Sequence, residues 1–220
     1  SAPSGGGQKQ MSAAEVKKAQ EEMDKARAAN EKAKVDHENM KKYFDQGRQL
    51  ANDKDFPGAI NAYKEASKLD PDQVAIWANL GLALHNRGIT NLNQKSNDAA
   101  KQDFNEAIEA VNKALELNEK DLSNPAKGAP AKTSKGTYLK MRADSEYLLA
   151  SRLQVSEMAE PANRDFLAAS DLTENPAEKS TFVIKGAVAL RESGKYDEAT
   201  AAFKSILEKD PENIEALYNL

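Results

Sequence analysis

The fold is decided by the stretch AINAYKEASKLDP, which begins at Ala59. It sets a small residue at Ala59, an aromatic ring at Tyr63, a second small residue at Ala66 and a proline at Pro71. The same frame returns at residues 199–211 as ATAAFKSILEKDP. Residues at the first three offsets share one face of a helix, and the proline ends that helix. A frame of this kind with a period of about 34 residues is typical of arrays of helix-turn-helix units.

The composition agrees with a helical array. Charged residues make up 30% and aromatic residues 6% of the 220 residues, and this balance is typical of helical proteins. The formal net charge of −4, without a basic stripe, argues against a nucleic-acid partner. There is no cysteine, which excludes disulfides and thiolate sites and fits a cytoplasmic or an extracytoplasmic location. No apolar run approaches the roughly 18 residues of a membrane span, so we expect a soluble protein.

The N-terminal part is predicted to be a linker followed by one long helix. Residues 1–10 are rich in Gly, Ser and Pro and are predicted to be a flexible linker. Residues 11–39 are predicted to run into the first repeat, as part of a single helix over residues 12–52. A heptad seam follows this helix at Val16, Ala19, Met23, Ala26, Asn30, Ala33, His37, Met40 and Phe44.

The seam has two interpretations. The helix either lies along its own array or extends free of it, which we favour, or it pairs with a second chain as a weak coiled-coil homodimer.

Residues 40–73 resemble the tetratricopeptide repeat (TPR) over its full length. Tyr43 takes the bulky position and Gly47 the small position of the first helix, and the second helix carries the frame from Ala59 to Pro71. The resemblance implies an all-α fold, a right-handed α-α superhelix (TPR solenoid) preceded by the long N-terminal helix, as an array of the bacterial type. The units of residues 40–213 are expected at 40–73, 74–120 with an insertion, 137–176 in degenerate form, and 180–213. Residues 214–220 are expected to start a further repeat that is cut short.

The second copy of the frame, at Ala199, lies more than four repeat periods after the first copy, at Ala59, although only two units lie between them. Two insertions account for the extra length. The first follows Gly88 and is predicted to be a polar loop around residues 90–97 that leads into extra turns of the next helix. The second, residues 121–136, is rich in Pro, Gly, Lys and Ser and is predicted to be an exposed loop. In the degenerate unit, Leu149 and Ala150 fit the first helix, and Glu146 falls at its bulky position.

The resemblance also implies which residues face a partner. In a TPR array the first helix of each unit lines a concave groove that can hold an extended peptide. The predicted groove residues are Lys41, Arg48, Asn52, Asn79, Leu82, His85, Asn86, Tyr147, Ser151, Lys185, Val188 and Arg191. Phe44 shares this frame but ends the heptad seam, so we expect it to pack against the preceding helix. The carboxylate clamp of chaperone-binding TPR domains is not expected, because only Asn79 matches its pattern.

The sequence offers little to support catalysis. Its two histidines, His37 and His85, have no further His at helical spacing, so no metal site is predicted. No phosphate-binding glycine loop or nucleophile elbow occurs, and no cofactor is expected. We therefore predict a non-enzymatic scaffold that binds a protein or peptide in the groove. The alternative is a structural or assembly protein that self-associates through the long helix or the repeat ends.

Overall fold

A computed structural model describes residues 12–124 and 127–220 of the chain, and the predicted linker at residues 1–10 lies outside these ranges. The described residues contain nine α-helices, one short 3₁₀ turn at Ser156–Met158 and no β-strand. The helices are α1 Ala13–Asn52, α2 Phe56–Leu69, α3 Val74–Asn93, α4 Asn97–Leu122, α5 Gly128–Arg152, α6 Ala159–Leu172, α7 Pro176–Glu192, α8 Tyr196–Lys209 and α9 Ile214–Asn219.

The helix expected over residues 12–52 is present as α1. It begins with a capping box, in which the backbone N–H of Ser12 donates to the Glu15 carboxylate at 2.7 Å and the Glu15 N–H donates to the Ser12 hydroxyl at 3.3 Å. None of residues 13–39 is buried, and Met40 is the first residue of the helix to enter a core. The first part of α1 therefore extends free of the array.

The helices pair as antiparallel hairpins: hairpin 1 is α1–α2, hairpin 2 is α3–α4, hairpin 3 is α5–α6 and hairpin 4 is α7–α8. All four hairpins have one residue of positive φ two positions after the first helix. These residues are Lys54 at 62°, Lys95 at 60°, Gln154 at 58° and Gly194 at 81°. In hairpin 1 the next residue, Asp55, caps α2 by accepting the Gly58 N–H at 3.0 Å.

Small residues let the two helices of a hairpin approach closely. A Cβ at Gly47 would lie 2.6 Å from the Tyr63 ring, and one at Gly81 would lie 2.7 Å from Cγ2 of Val111. Tyr63 and Val111 are each 1% exposed, so each fills the groove beside its glycine. This packing is the physical basis of the small and large positions in the repeat frame.

The first insertion is helical, and the loop predicted around residues 90–97 is wrong. The polar residues lengthen α3 to 20 residues and α4 to 26, compared with 14 in α2, and only 94–96 remain as a turn. The added turns make a further layer of packing, in which a Cβ at Gly88 would lie 2.7 Å from the buried ring of Phe104. The insertion therefore lengthens hairpin 2 and leaves its turn short.

The exposed loop predicted for residues 121–136 is also wrong, because α4 continues to Leu122 and α5 starts at Gly128. Pro130 lies in the first turn of α5, where a missing backbone N–H costs little. The segment packs on α4, since the Asn118 side chain donates to the Ala131 carbonyl at 2.9 Å and both residues are buried. Its loop-like composition therefore does not reflect its structure.

The third unit has a different register from the one predicted. Ala143 is fully buried and shares a core cluster with Phe166, so Ala143 takes the small position of hairpin 3. Ala150, which was predicted to take that position, belongs to the core around Ile184. Glu146 consequently does not occupy the bulky position near the start of the helix but lies three residues after the small one.

The hairpins stack in two layers. Successive odd-numbered helices contact one another from α1 through α9, whereas the even-numbered helices pack mainly on their neighbours in the chain. Side chains also join even-numbered helices, as in the 3.2 Å ion pair of Lys64 of α2 with Glu106 of α4. The odd-numbered helices therefore form a continuous inner layer, and the even-numbered ones cover it on the outside. This arrangement confirms the expected all-α solenoid of TPR type.

Candidate functional site

The inner layer contains a pocket between α1 and α3 with a volume of about 250 Å³. Predicted groove residues form most of its wall, together with Ala51, Tyr63 and Ala83. The predicted residues that line it are Arg48, Asn52, Asn79, Leu82 and Asn86. Two adjacent hairpins thus bring one cation, three amides and one apolar side chain to a single concave site.

Tyr63 forms the floor of this pocket and is held in place by aromatic packing. Its ring centroid lies 5.8 Å from that of Phe44, at an interplanar angle of 52°. Phe44 therefore packs against α2 of its own hairpin and not against a preceding helix, since it lies within α1 itself. Burial raises the pKa of Tyr63, and the nearby charge of Arg48 opposes this rise. The floor is therefore a neutral phenol beneath an arginine.

The polar groups of the pocket are largely free to bind a ligand. Arg48 is exposed, and no ion pair involves Arg48 or Lys41 within residues 12–124 and 127–220. The side-chain N–H of Asn79 donates to the Ala75 carbonyl at 2.8 Å, which fixes the amide. Leu82 is 44% exposed on the same surface. The pocket can thus accept hydrogen bonds, donate them and hold an apolar group.

His85, the next predicted groove residue along α3, links two hairpins. Its Nδ1 is 2.9 Å from the buried Ser145 hydroxyl of α5, and its ring centroid lies 5.6 Å from that of Phe104. Burial lowers the pKa of His85 and outweighs the opposing effect of Asp144. The ring is therefore neutral near neutral pH and serves as a contact between α3 and α5.

Lys185 makes a similar link between α5 and α7. Its Nζ donates to Asp144 at 3.0 Å, and Lys140 donates to the same carboxylate at 2.6 Å. Burial opposes ionisation of Asp144, but the two lysines outweigh it and lower its pKa. Lys185 also lies 5.6 Å above the centroid of the Phe166 ring. Lys185 is thus engaged inside the protein, which the sequence pattern did not indicate.

The remaining predicted residues do not converge with the pocket. The Ser151 hydroxyl donates to the Tyr147 carbonyl at 2.7 Å, and burial raises the pKa of Tyr147. Arg191 bonds Asn219 and lies 3.7 Å from Glu192, while Val188 packs on the C-terminal core. Lys41 is exposed on α1. The structure therefore brings together one subset of the predicted residues and engages most of the others internally.

Lys140 and Thr137 were missed by the sequence analysis because of the register of the third unit. Both line a second pocket, of about 440 Å³, between the start of α5, the end of α6 and the start of α7. The repeat frame gave no signal for them, because Ala150 and not Ala143 stands at the spacing from Phe166 that the other hairpins show. With Ala143 as the small position, the inner-facing residues of α5 move by two turns toward its N-terminus.

Other kinds of site find no support in the part of the chain that is described. No group of three or more His, Cys, Asp or Glu residues there could hold a metal ion. None of its helices is long and apolar enough to cross a membrane.

Two segments match family models. A model described as TPR repeat matches residues 41–88, and one described as tetratricopeptide repeat matches residues 184–220. They cover hairpin 1 with most of α3, and hairpin 4 with α9. No curated protein matches the chain.

Solved structures share the repeat architecture at low similarity. One is YrrB, described as a TPR protein with an unusual peptide-binding site, at 14% identity, over 80% of this chain and 89% of that chain, with a TM-score of 0.28. Another is MamA, at 21% identity over 84% of this chain and 97% of that chain, with a TM-score of 0.29. A third is Pseudomonas aeruginosa PilF, at 14% identity over 84% of this chain and 97% of that chain, with a TM-score of 0.26.

Proposed function

We propose that this chain, which is a tetratricopeptide-repeat protein, holds an extended segment of a partner protein in the pocket between α1 and α3. TPR proteins are interaction scaffolds that bind protein partners, and the fold is typically a non-enzymatic module. We extend this to the present chain as a binding protein without catalytic activity and without a nucleic-acid partner.

The observation that carries the proposal is the shared lining of that pocket by Arg48, Asn52, Asn79 and Asn86. An extended peptide presents carbonyl and N–H groups at regular spacing, and side-chain amides can pair with both. Arg48 would add recognition of an acceptor or an acidic side chain. Leu82 would contact an apolar side chain of the partner.

The cations farther along the array are less suitable for a partner. Lys185 neutralises Asp144, and Arg191 is bonded to α9. Reversing either charge would disturb contacts between helices, so a loss of binding would not distinguish a binding role from a structural one. Arg48 offers the cleaner test because its removal breaks no ion pair in the described ranges.

The test uses peptides selected from a displayed random library against the whole chain, with Kd measured by calorimetry. We expect Arg48→Glu to weaken the binding of the selected peptides at least tenfold, which corresponds to about 1.4 kcal/mol of binding free energy. Lys204→Glu is the matched control, since it makes the same charge change at an exposed position of α8 on the outer layer. Equal Kd values for the wild type and Arg48→Glu would rule out this pocket as the binding site.

A second candidate function, self-association through α1, is favoured by the exposure of its seam. Val16 is 54% and Met23 66% exposed, and only Met40 and Phe44 of the seam pack into the array. An amphipathic helix with an uncovered apolar stripe can pair with a copy of itself. Asn30 and His37 on the same stripe would restrict the register of such a pair.

Sedimentation equilibrium at several micromolar concentrations tests this association. We expect a weak dimer that the double substitution Val16→Glu and Met23→Glu converts to a monomer. A wild type that is strictly monomeric across that range would exclude the coiled-coil dimer and leave the groove proposal unaffected.

A further inference from the structure

Glu146 occupies a core position that hairpins 1 and 4 fill with leucine. It follows the small residue Ala143 by three positions, as Leu50 follows Gly47 and Leu190 follows Ala187. In hairpin 2, where Gly88 packs against Phe104, the corresponding residue is Asn91, whose side chain donates to Asp103 at 2.8 Å. Glu146 is only 4% exposed, and its Oε2 atom is buried without a hydrogen-bond partner. A carboxylate in this position is expensive, because an ion loses its hydration there and gains little in return.

The neighbouring groups do not compensate for this burial. Arg142 lies 4.0 Å from Oε1 of Glu146, but its guanidinium donates to Asp165 of α6 and, at 2.6 Å, to Asn112 of α4. Asp165 is 2% exposed and places a second negative charge beside Glu146. The arginine is thus already engaged by another carboxylate.

The titration of Glu146 reflects these surroundings. Burial is the main cause that raises its pKa to about 7, and Asp165 adds to it, while Arg142 and Arg164 oppose the rise. α7 and α3 direct Lys185 and His85 to the adjacent α5 residues Asp144 and Ser145. Asp144 and Ser145 therefore connect α5 to α7 and α3, whereas the next residue, Glu146, faces the like charge of Asp165 of α6.

We propose that Glu146 is a proton-dependent switch that keeps hairpin 3 closed in its protonated form and loosens the contact between α5 and α6 when it ionises. Protonation lets the side chain act as a neutral core residue. Ionisation puts an unpaired charge next to Asp165, which water can solvate only if the hairpin opens. Because α5 also supplies Asp144 and Ser145 to the inner layer, the opening would extend to the groove side of the array.

The direction of the effect follows from proton linkage. The folded state binds the proton of Glu146 more tightly than the unfolded state, whose pKa is near the ordinary value of 4.5. Its stabilising contribution is therefore complete below pH 4.5 and is lost as the pH rises to about 7. His85 has a lowered pKa and acts in the opposite direction below its ordinary pKa of 6.5.

Hydrogen exchange of the α5 and α6 amides between pH 5 and pH 8, corrected for the intrinsic rate, tests the switch. We expect the opening constant of the wild type to rise by up to tenfold per pH unit until about pH 7. Glu146→Leu introduces the residue of hairpins 1 and 4 and should make this constant independent of pH. Because both proteins retain His85, its contribution to the opening constant cancels when they are compared at the same pH.

Two further variants complete the test. Glu146→Gln removes the charge at nearly constant volume and should also abolish the pH dependence, even if Glu146→Leu folds poorly. Glu38→Gln removes an exposed carboxylate of α1 and should behave like the wild type. A wild type with no pH dependence, or a dependence that persists in both Glu146 variants, would overturn the proposal.

Discussion

The outer and the middle hairpins differ in the residue that precedes the buried ring of the second helix. In hairpins 1 and 4 this residue is Ala62 or Ala202, and in hairpins 2 and 3 it is Asp103 or Asp165. Each aspartate is paired with an arginine of the first helix. Arg87 donates to Asp103 with its Nε at 3.0 Å, and Arg142 donates to Asp165 with Nη2 at 3.0 Å.

The comparison suggests what the buried ion pairs contribute. A buried pair often stabilises no more than an apolar contact of the same size, but an unpaired buried charge is strongly destabilising. Two of the small buried residues of α5, Ala143 and Ala150, lie two turns apart on one face. Only the register with Ala143 opposite Phe166 pairs Arg142 with Asp165. We infer that the ion pair disfavours the alternative register of α5 against α6. Hairpins 1 and 4 do not need such a pair.

The largest expected effect comes from breaking this pair. Asp165→Ala leaves Arg142 partly buried without its main partner and should lower the free energy of unfolding by about 3–5 kcal/mol. Urea denaturation measures it. The double variant Asp165→Ala and Arg142→Met should recover much of the loss because it removes the stranded charge. A single-variant loss below about 1 kcal/mol would show that the middle hairpins do not depend on their ion pairs.

A smaller effect is expected where the hairpins are alike, at their turns. Lys95 adopts a φ of 60°, which is unfavourable for a residue with a Cβ, so Lys95→Gly should raise the free energy of unfolding by about 1 kcal/mol. Gly194→Ala, at φ 81° with open space around it, should lower it by a similar amount. Thermal unfolding of both variants checks the signs. If both variants changed the free energy of unfolding in the same direction, the two turns would not be equivalent.

The sequence predicts the regular parts of the fold and misses the altered ones for identifiable reasons. Gly47 and Tyr63 follow the repeat frame, and their close approach is the packing that the frame encodes. The residues from Thr90 to Asn93 have the polar composition of a loop, yet they lie on a helix. In the third unit the frame favours Ala150, because it precedes Phe166 by the same number of residues as Gly47 precedes Tyr63. The structure instead uses Ala143, two turns earlier, because the connection to α6 is lengthened by the 3₁₀ turn at Ser156–Met158.

Prediction of the candidate site had a similar limit. The frame identifies which residues of the first helices face inward, and Arg48, Asn79 and Leu82 indeed lie around one pocket. It does not indicate which inward cations are already paired. Lys185 differs from Arg48 because Asp144 and the Phe166 ring of hairpin 3 reach it, and these contacts depend on how two hairpins stack.

The free segment of α1 also changes how this protein behaves in solution. Its residues 13–39 form a rod of about 40 Å at 1.5 Å per residue, attached to one end of the hairpin stack. Such an asymmetric particle experiences more friction than a sphere of equal mass. The elution volume of the monomer will therefore resemble that of a larger globular protein, and only a measurement that reports mass independently of shape can count its subunits.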